Sequence, residues 1–403
     1  MTVRVSSTPF PRPARASGIR EGLSALAWHR ILIQTGAAML GMFLPMFLYQ
    51  LFDRNMSAVL WYAFAYYLLA GLLEPLGAMV MTRIGMKNAL RLGTMLYVFF
   101  FLTLALAEYI PVRAVVISSL LAISTWHVIY WVPYHTEFAE EGRGHRLGTV
   151  IGAIAAAGSL VGVVLPTFSG WVIETYGYPV LCLSALLVVF ASLVPIGRVR
   201  ATEEQYEFGF LQTFRELFAP ARRRFLMTFA AEGAESVVGF FVWPVFLFEL
   251  LRGEYVQAGM VTTAVGLLSI AIQILVGHLV DREKHRGRLL SFGMNLSAIG
   301  WILKSFVSSV AHIILFGTLH SFALILMRTP FEALMYAKAA DAGHYVDEYT
   351  VLREMALSLG RVILLAVLLS LGAAFQFWIA FLITAAVTFF FGILSRKPPA
   401  FGT

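Results

Sequence analysis

An all-α membrane protein of twelve transmembrane helices, arranged as two pseudo-symmetric six-helix bundles, is the fold class this sequence predicts. Three observations lead there. Apolar residues fill 59% of the 403 positions and charged residues only 13%, whereas a soluble domain is charged at roughly a quarter of its positions. The charges fall between apolar runs long enough to cross a bilayer. Two charged loops about 200 positions apart, near residues 80 and 281, resemble each other and imply a duplicated half.

A helix rises about 1.5 Å per residue and hydrocarbon is about 30 Å thick, so each span needs roughly 20 apolar residues. The spans fall at 31–51, 58–81, 89–107, 112–134, 147–172 and 179–196, then at 225–248, 258–280, 289–307, 312–336, 351–371 and 375–394. Arg4, Arg12, Arg15 and Arg20 precede the first run among Ser and Pro. That run lacks a small-residue cleavage pattern and reads as an uncleaved span. The expected organisation is a tail over 1–27, a bundle over 28–196, a linker over 197–224, a second bundle over 225–395 and a tail over 396–403. Within the linker, Phe210, Leu211, Phe214, Leu217 and Phe218 recur at helical spacing opposite Arg215 and Glu216, the pattern of a helix lying on the inner leaflet.

Orientation follows from Lys and Arg alone. Only Arg54, Arg113 and Arg252 fall on the side opposite the N-terminus, and about eight times as many fall on the other side. Both termini are therefore expected in the cytoplasm, with the protein in an inner or plasma membrane. The net charge of +7 is spread over such loops, so nucleic acid is not an expected partner. The lone cysteine, Cys182, excludes an internal disulfide and a cysteine metal site.

The loop Gly277-His-Leu-Val-Asp281-Arg282-Glu-Lys-His-Arg286-Gly-Arg288 joins two apolar runs, and Ala78-Met-Val-Met-Thr82-Arg83-Ile-Gly85-Met-Lys87 echoes it, with Thr82 in place of Asp. An Asp-Arg pair at a helix end, followed by basic residues and another span, resembles the cytoplasmic loop signature of the major facilitator superfamily. The resemblance covers the chain from about residue 28. It implies a central cavity lined by spans 1, 4, 7 and 10. It also implies that Asp281, Arg282, Thr82 and Arg83 form a conformational latch. Some exporters of that superfamily carry Gly-x-x-x-Gly-Pro in span 5; here Gly158 and Gly162 are followed by Pro166.

Ionisable groups inside a membrane are costly and point to function by default. Glu232 and Glu235 lie three residues apart on one helix face, roughly 10 to 16 Å deep. Two carboxylates that close in low dielectric do not both ionise readily, so the pair is a candidate proton carrier; the other reading is a helix clamp to a buried Arg. Arg328 and Glu332, one turn apart in span 10, form either an internal salt bridge or a site for an anionic substrate with a gating carboxylate. Arg361 shares a face with Glu354 and reads as a brace between helices. Glu74, beside Pro75, reads as a gate or a kink.

In span 4, His127, Tyr130, Trp131 and Tyr134 form one stripe at i, i+3, i+4, i+7, suited to an amphipathic or aromatic solute or to helix packing. Gln34 in span 1 is a neutral hydrogen-bonding candidate for the same cavity. Lys304, late in span 9, is expected to snorkel to the outer interface. Met39, Met42 and Met46 raise a soft-metal reading that no histidine cluster supports.

The expected function is secondary active transport of a small organic solute by alternating access, coupled to protons. No nucleotide-binding P-loop is present, and neither enzyme activity, a cofactor nor a metal is expected. The expected partners are the solute, protons and membrane lipids, and the expected state is a monomer. A lipid or amphiphile translocator, and a non-transporting sensor or assembly factor on the same fold, are the alternatives.

Overall fold

The computed structural model describes residues 16–141, 147–199, 206–280, 286–341 and 346–395, and the side chains of 22–136, 154, 156–199, 206–272, 291–327 and 347–391 within them. The described elements are helical, with no strand among them. They run α1 (Ala16–Leu40), α2 (Phe43–Leu51), α3 (Met56–Ile84), α4 (Met86–Ala105), α5 (Val112–Glu141), α6 (Leu147–Ala191) and α7 (Leu193–Ile196). Then come α8 (Phe210–Leu217) within the linker, α9 (Arg223–Val237), α10 (Trp243–Leu250), α11 (Tyr255–Val280), α12 (Arg286–Lys304), α13 (Val310–Asp341), α14 (Val346–Ser370) and α15 (Phe377–Ser395).

Seven of the described helices are long and apolar enough to cross a membrane, eight if α1 and α2 make one span. The other four of the expected twelve are the limb of α6 beyond Gly177, which is counted together with the limb before it, and α12, α14 and α15, which fall short in length or apolarity over their described residues. The first span differs from expectation. Helix α1 begins at Ala16, well before 31, and the first span bends by 42° at Gly41–Met42. The expected break between spans 5 and 6 falls within α6 at Gly177, whose φ of 83° and ψ of 170° are not helical and part it into two helical limbs, with Pro179 opening the second; only glycine enters that region without strain. Of the amphipathic linker helix, α8 buries Thr213 and Leu217 and leaves Leu211 and Phe218 exposed.

A repeat 199 positions long is written in the backbone. Pro45 and Pro244 occupy equivalent places, and each span breaks beside them: the first at Gly41–Met42, the seventh in a π-helical turn over Val238–Val242. After α2, Arg54 N–H donates to Tyr49 O at 2.8 Å and Asp53 N–H to Gln50 O at 3.1 Å. After α10, Gly253 N–H donates to Phe248 O at 2.9 Å and Arg252 N–H to Glu249 O at 3.1 Å. Both turns run through positive φ, 52° and 60° at Asp53 and Arg54, 55° and 86° at Arg252 and Gly253. This is the hydrogen-bond pattern that closes a helix through left-handed residues, and it recurs in register.

Close helix crossings are made by small residues. Helix α6 meets α11 where Gly170 faces the Tyr255 carbonyl and Gly259 faces that of Pro166. Thr167 donates to Thr263 at 2.8 Å and Thr263 to Val163 O at 2.6 Å in the same crossing. Helix α9 meets α14 where Gly233 lies against the Leu357 carbonyl and Gly360 against that of Ala230, and α3 meets α14 where Gly71 faces Ser358.

Candidate functional site

A buried ionic network lies where α5, α9 and α14 meet, with α3 behind it. Its centre is Glu354 on α14. One carboxylate oxygen accepts from Arg353 at 2.6 Å and the other is 3.6 Å from His127 Nε2 on α5. Arg353 also reaches Glu232 of α9 at 3.9 Å and lies over the Phe229 ring. His127 Nδ1 is 2.9 Å from the Tyr66 hydroxyl of α3. Charges this deep persist only when paired; Arg353 with Glu354 pairs within α14, whereas Arg353 with Glu232 and His127 with Glu354 meet between helices far apart in sequence.

Two further charges flank the network. Arg361 donates from Nε to Ser236 Oγ at 3.3 Å and stacks over Tyr67, 4.7 Å from the ring centroid. Glu74, completely buried on α3, has no hydrogen-bond partner for either carboxylate oxygen among the described residues, and Glu354 and Arg361 are the charges that act on it. The proline after it leaves a carbonyl of the preceding turn without its N–H partner.

Beside the network an aromatic wall carries a second cation. Arg30 of α1 lies 4.6 Å from the Trp131 centroid and 5.1 Å from that of Tyr134, and His135 stacks on Trp131 at 5.4 Å. Tyr97, Trp126, Tyr130 and Tyr134 continue as a near-parallel ladder. Gln34, one turn after Arg30, packs on Gly158 and keeps a buried Oε1 without a partner among the described residues.

The expected stripe on α5 is therefore divided. His127 turns to α3 and α14, Tyr130 is fully buried against α4 at Gly93, and Trp131 stays half-buried under Arg30. Glu232 and Glu235 do not act as a mutual pair: Glu232 meets Arg353, whereas Glu235 accepts from Trp301 Nε1 at 3.1 Å. Lys304 does not snorkel. It is 5% exposed, with Nζ 4.2 Å from the centroids of both Trp243 and Trp301. Asp281 and Arg282 lie outside the described residues, as do the side chains of Arg328 and Glu332. Sequence reasoning passed over Arg30, Arg353 and Tyr66; the two arginines stand within three residues of an expected span boundary, where a cation reads as an interfacial anchor.

Each end of the bundle is closed by polar contacts. At the end that holds the linker, Thr136 donates to Asp347 at 2.8 Å and Glu207 N–H to Glu348 at 2.9 Å. Thr82 Oγ1 there accepts from Tyr206 N–H at 3.2 Å while donating to Ala78 O, and Lys87 caps the carbonyls of Gly197 and Val199. Arg83 is exposed. Burial pushes the Tyr206 phenol above its ordinary range, and its hydroxyl pairs with Thr213 at 2.6 Å. At the other end Arg54 meets Glu249 at 4.0 Å, Val256 N–H donates to Glu174 at 2.7 Å, and Tyr255 packs on Tyr178 and Phe43. Among the described residues no group of three or more His, Cys, Asp or Glu is placed to hold a metal.

Among known proteins, no family profile matches the sequence. An uncharacterized protein, YqgE, of Bacillus subtilis is 23% identical over 291 residues, 68% of this chain and 65% of that protein, so the likeness spans under two thirds of the relative's length. Among solved structures, a D-xylose-proton symporter superposes over 95% of this chain and 98% of its own, with a TM-score of 0.68 and 14% identity. The chain is an all-α membrane protein with the fold of the major facilitator superfamily transporters.

Proposed function

We propose that the protein is a secondary active transporter that moves a small organic solute by alternating access and couples the movement to protons. The network His127, Glu354, Arg353 and Glu232 carries the reading, because an ion pair joins α14 to α9 and the 3.6 Å approach of His127 to Glu354 joins α14 to α5 in a low-dielectric interior. A proton taken up by Glu354 removes one negative charge from the set. The remaining charges are then mispaired, and a mispaired charge in low dielectric costs several kcal/mol; rearrangement of the helices relieves that cost. Chemistry at the site thereby becomes motion of one helix group against the other. The D-xylose-proton symporter of the same fold supports proton coupling.

The chain divides, on this reading, into bundles over 28–196 and 225–395 that rock about the α3–α14 and α6–α11 crossings. The 199-residue repeat of the turns after α2 and α10 supports that division. Arg30 above Trp131, with Gln34 one turn away, is the receiving surface for the solute, and a guanidinium held on indole and phenol faces favours one with an anionic group. Both termini face the cytoplasm of an inner or plasma membrane, and the working unit is a monomer among lipids.

Proteoliposomes carrying a trapped pH dye test this. Solutes are screened for those whose addition moves protons, and the responding solute is re-measured with Glu354→Gln, His127→Asn and Glu232→Gln. Proton movement should fall at least about tenfold in Glu354→Gln while solute exchange without a pH gradient persists. Unchanged proton movement in all three variants would remove the coupling assignment.

A further inference from the structure

Lys304 lies outside the network just described and is explained by no part of the transport reading. The residue is almost completely buried, and among the described residues no hydrogen bond or ion pair holds its ammonium. Two indole faces do, those of Trp243 and Trp301, each 4.2 Å away at the centroid. Trp301 serves two partners at once: its face receives the cation and its N–H donates to Glu235 at 3.1 Å. The indole N–H thus bonds the carboxylate whose charge opposes the ammonium. Two aromatic faces and a carboxylate around one cation is the chemistry by which proteins bind ammonium groups, and desolvation strengthens it.

The position of this group is the second observation. Glu235 and Trp243 bracket the π-helical turn Val238–Val242, where the α-helical ladder of span 7 is interrupted, and Gly239 within that turn abuts the Trp301 ring. Such turns concentrate at functional sites because one helix stretch can settle in either of two registers. Behind the cage, His320 packs edge-on to Trp301 at 4.6 Å and Phe381 stacks on it at 5.9 Å, which fixes the indole in place.

We propose that Trp243, Trp301 and Glu235 form a binding site for a primary ammonium group, occupied in this conformation by Lys304 acting as a tethered cation. The side chain clasps α12 to the broken turn of span 7, a place that a free cation would otherwise fill. Span 7 moves only when that cation leaves.

The test is chemical replacement. Lys304→Ala removes propylammonium from the cage, so the full-length variant in detergent should recover thermal stability saturably with propylammonium chloride. It should not recover with equal sodium chloride, and neither the unaltered protein nor Lys304→Ala/Glu235→Gln should respond. No difference between propylammonium and sodium would overturn the proposal. Where Lys304→Ala does not fold, Lys304→Met replaces it in a double-mutant cycle. Glu235→Gln should then raise the melting temperature of Lys304→Met, because it removes a carboxylate left without its cation. Simple addition of the two single-mutant shifts would overturn the proposal equally.

Discussion

The Thr136 hydroxyl donates to a carboxylate oxygen of Asp347 at 2.8 Å, and the two residues stand 211 positions apart. Both are almost completely buried, so the bond closes the linker end of the bundle away from water. A hydrogen bond to a charged acceptor is worth about 1.5–3 kcal/mol. Removing it with Thr136→Val should shift a closed-to-open equilibrium by about tenfold or more. In a background with Cys182→Ser, a single cysteine placed at Trp131 should react correspondingly faster with a water-soluble maleimide. An unchanged rate would show that the bond does not gate access.

Gly233 and Gly360 offer a test of the α9–α14 crossing. A methyl group at either would collide with the backbone carbonyl of Leu357 or Ala230, and backbone cannot swing aside as a side chain can. Gly360→Ala and Gly233→Ala should each cost about 1–3 kcal/mol, read as a lowered melting temperature in detergent. Gly162→Ala is the control: nothing lies within 4 Å of its Cβ position, although the motif Gly158-x-x-x-Gly162 groups it with Gly158.

Thr82 occupies the place where the superfamily loop has Asp, and its hydroxyl accepts from the Tyr206 N–H in the linker. Thr82→Val keeps the shape and removes the acceptor. Trypsin cleavage after Arg215 in reconstituted protein should accelerate several-fold, while Arg83→Gln, at an exposed position, should leave the cleavage rate unchanged.

Tyr66→Phe removes the hydroxyl that meets His127 Nδ1 at 2.9 Å and leaves a buried imidazole nitrogen without that partner. The expected loss is about 1–3 kcal/mol. His127→Asn should cost no more when added to Tyr66→Phe than the shared bond predicts, giving a coupling in the cycle measurable by thermal unfolding.

Much of the molecule was legible beforehand because a bilayer imposes a simple rule: about 20 apolar residues per span, charges between spans. That rule placed twelve spans from composition, and among the described residues seven helices, or eight with the bent pair, are long and apolar enough to cross. It misplaced the start of the first span because Arg20 and Arg30 interrupt the apolar run, although α1 continues through both. Hydropathy also put a break between spans 5 and 6, and non-helical Gly177 parts the two helical limbs there.

The candidate site was legible in its members and not in its pairings. Helix spacing placed Glu232 and Glu235 on one face, yet a separation of three residues turns a helix by about 300°, enough to direct one carboxylate to α14 and the other to α12. Likewise Lys304 had the position of a snorkelling side chain, and two indoles from different helices drew it inward.

What the chain's order of residues determined alone is what depends on one helix at a time: which stretches are apolar, where charges interrupt them, and which side chains share a face. Only the tertiary structure decided which charge meets which, because an ion pair such as Arg353 with Glu232 joins helices separated by more than a hundred residues. Its energy depends on distance and local dielectric, and neither exists until the helices have packed.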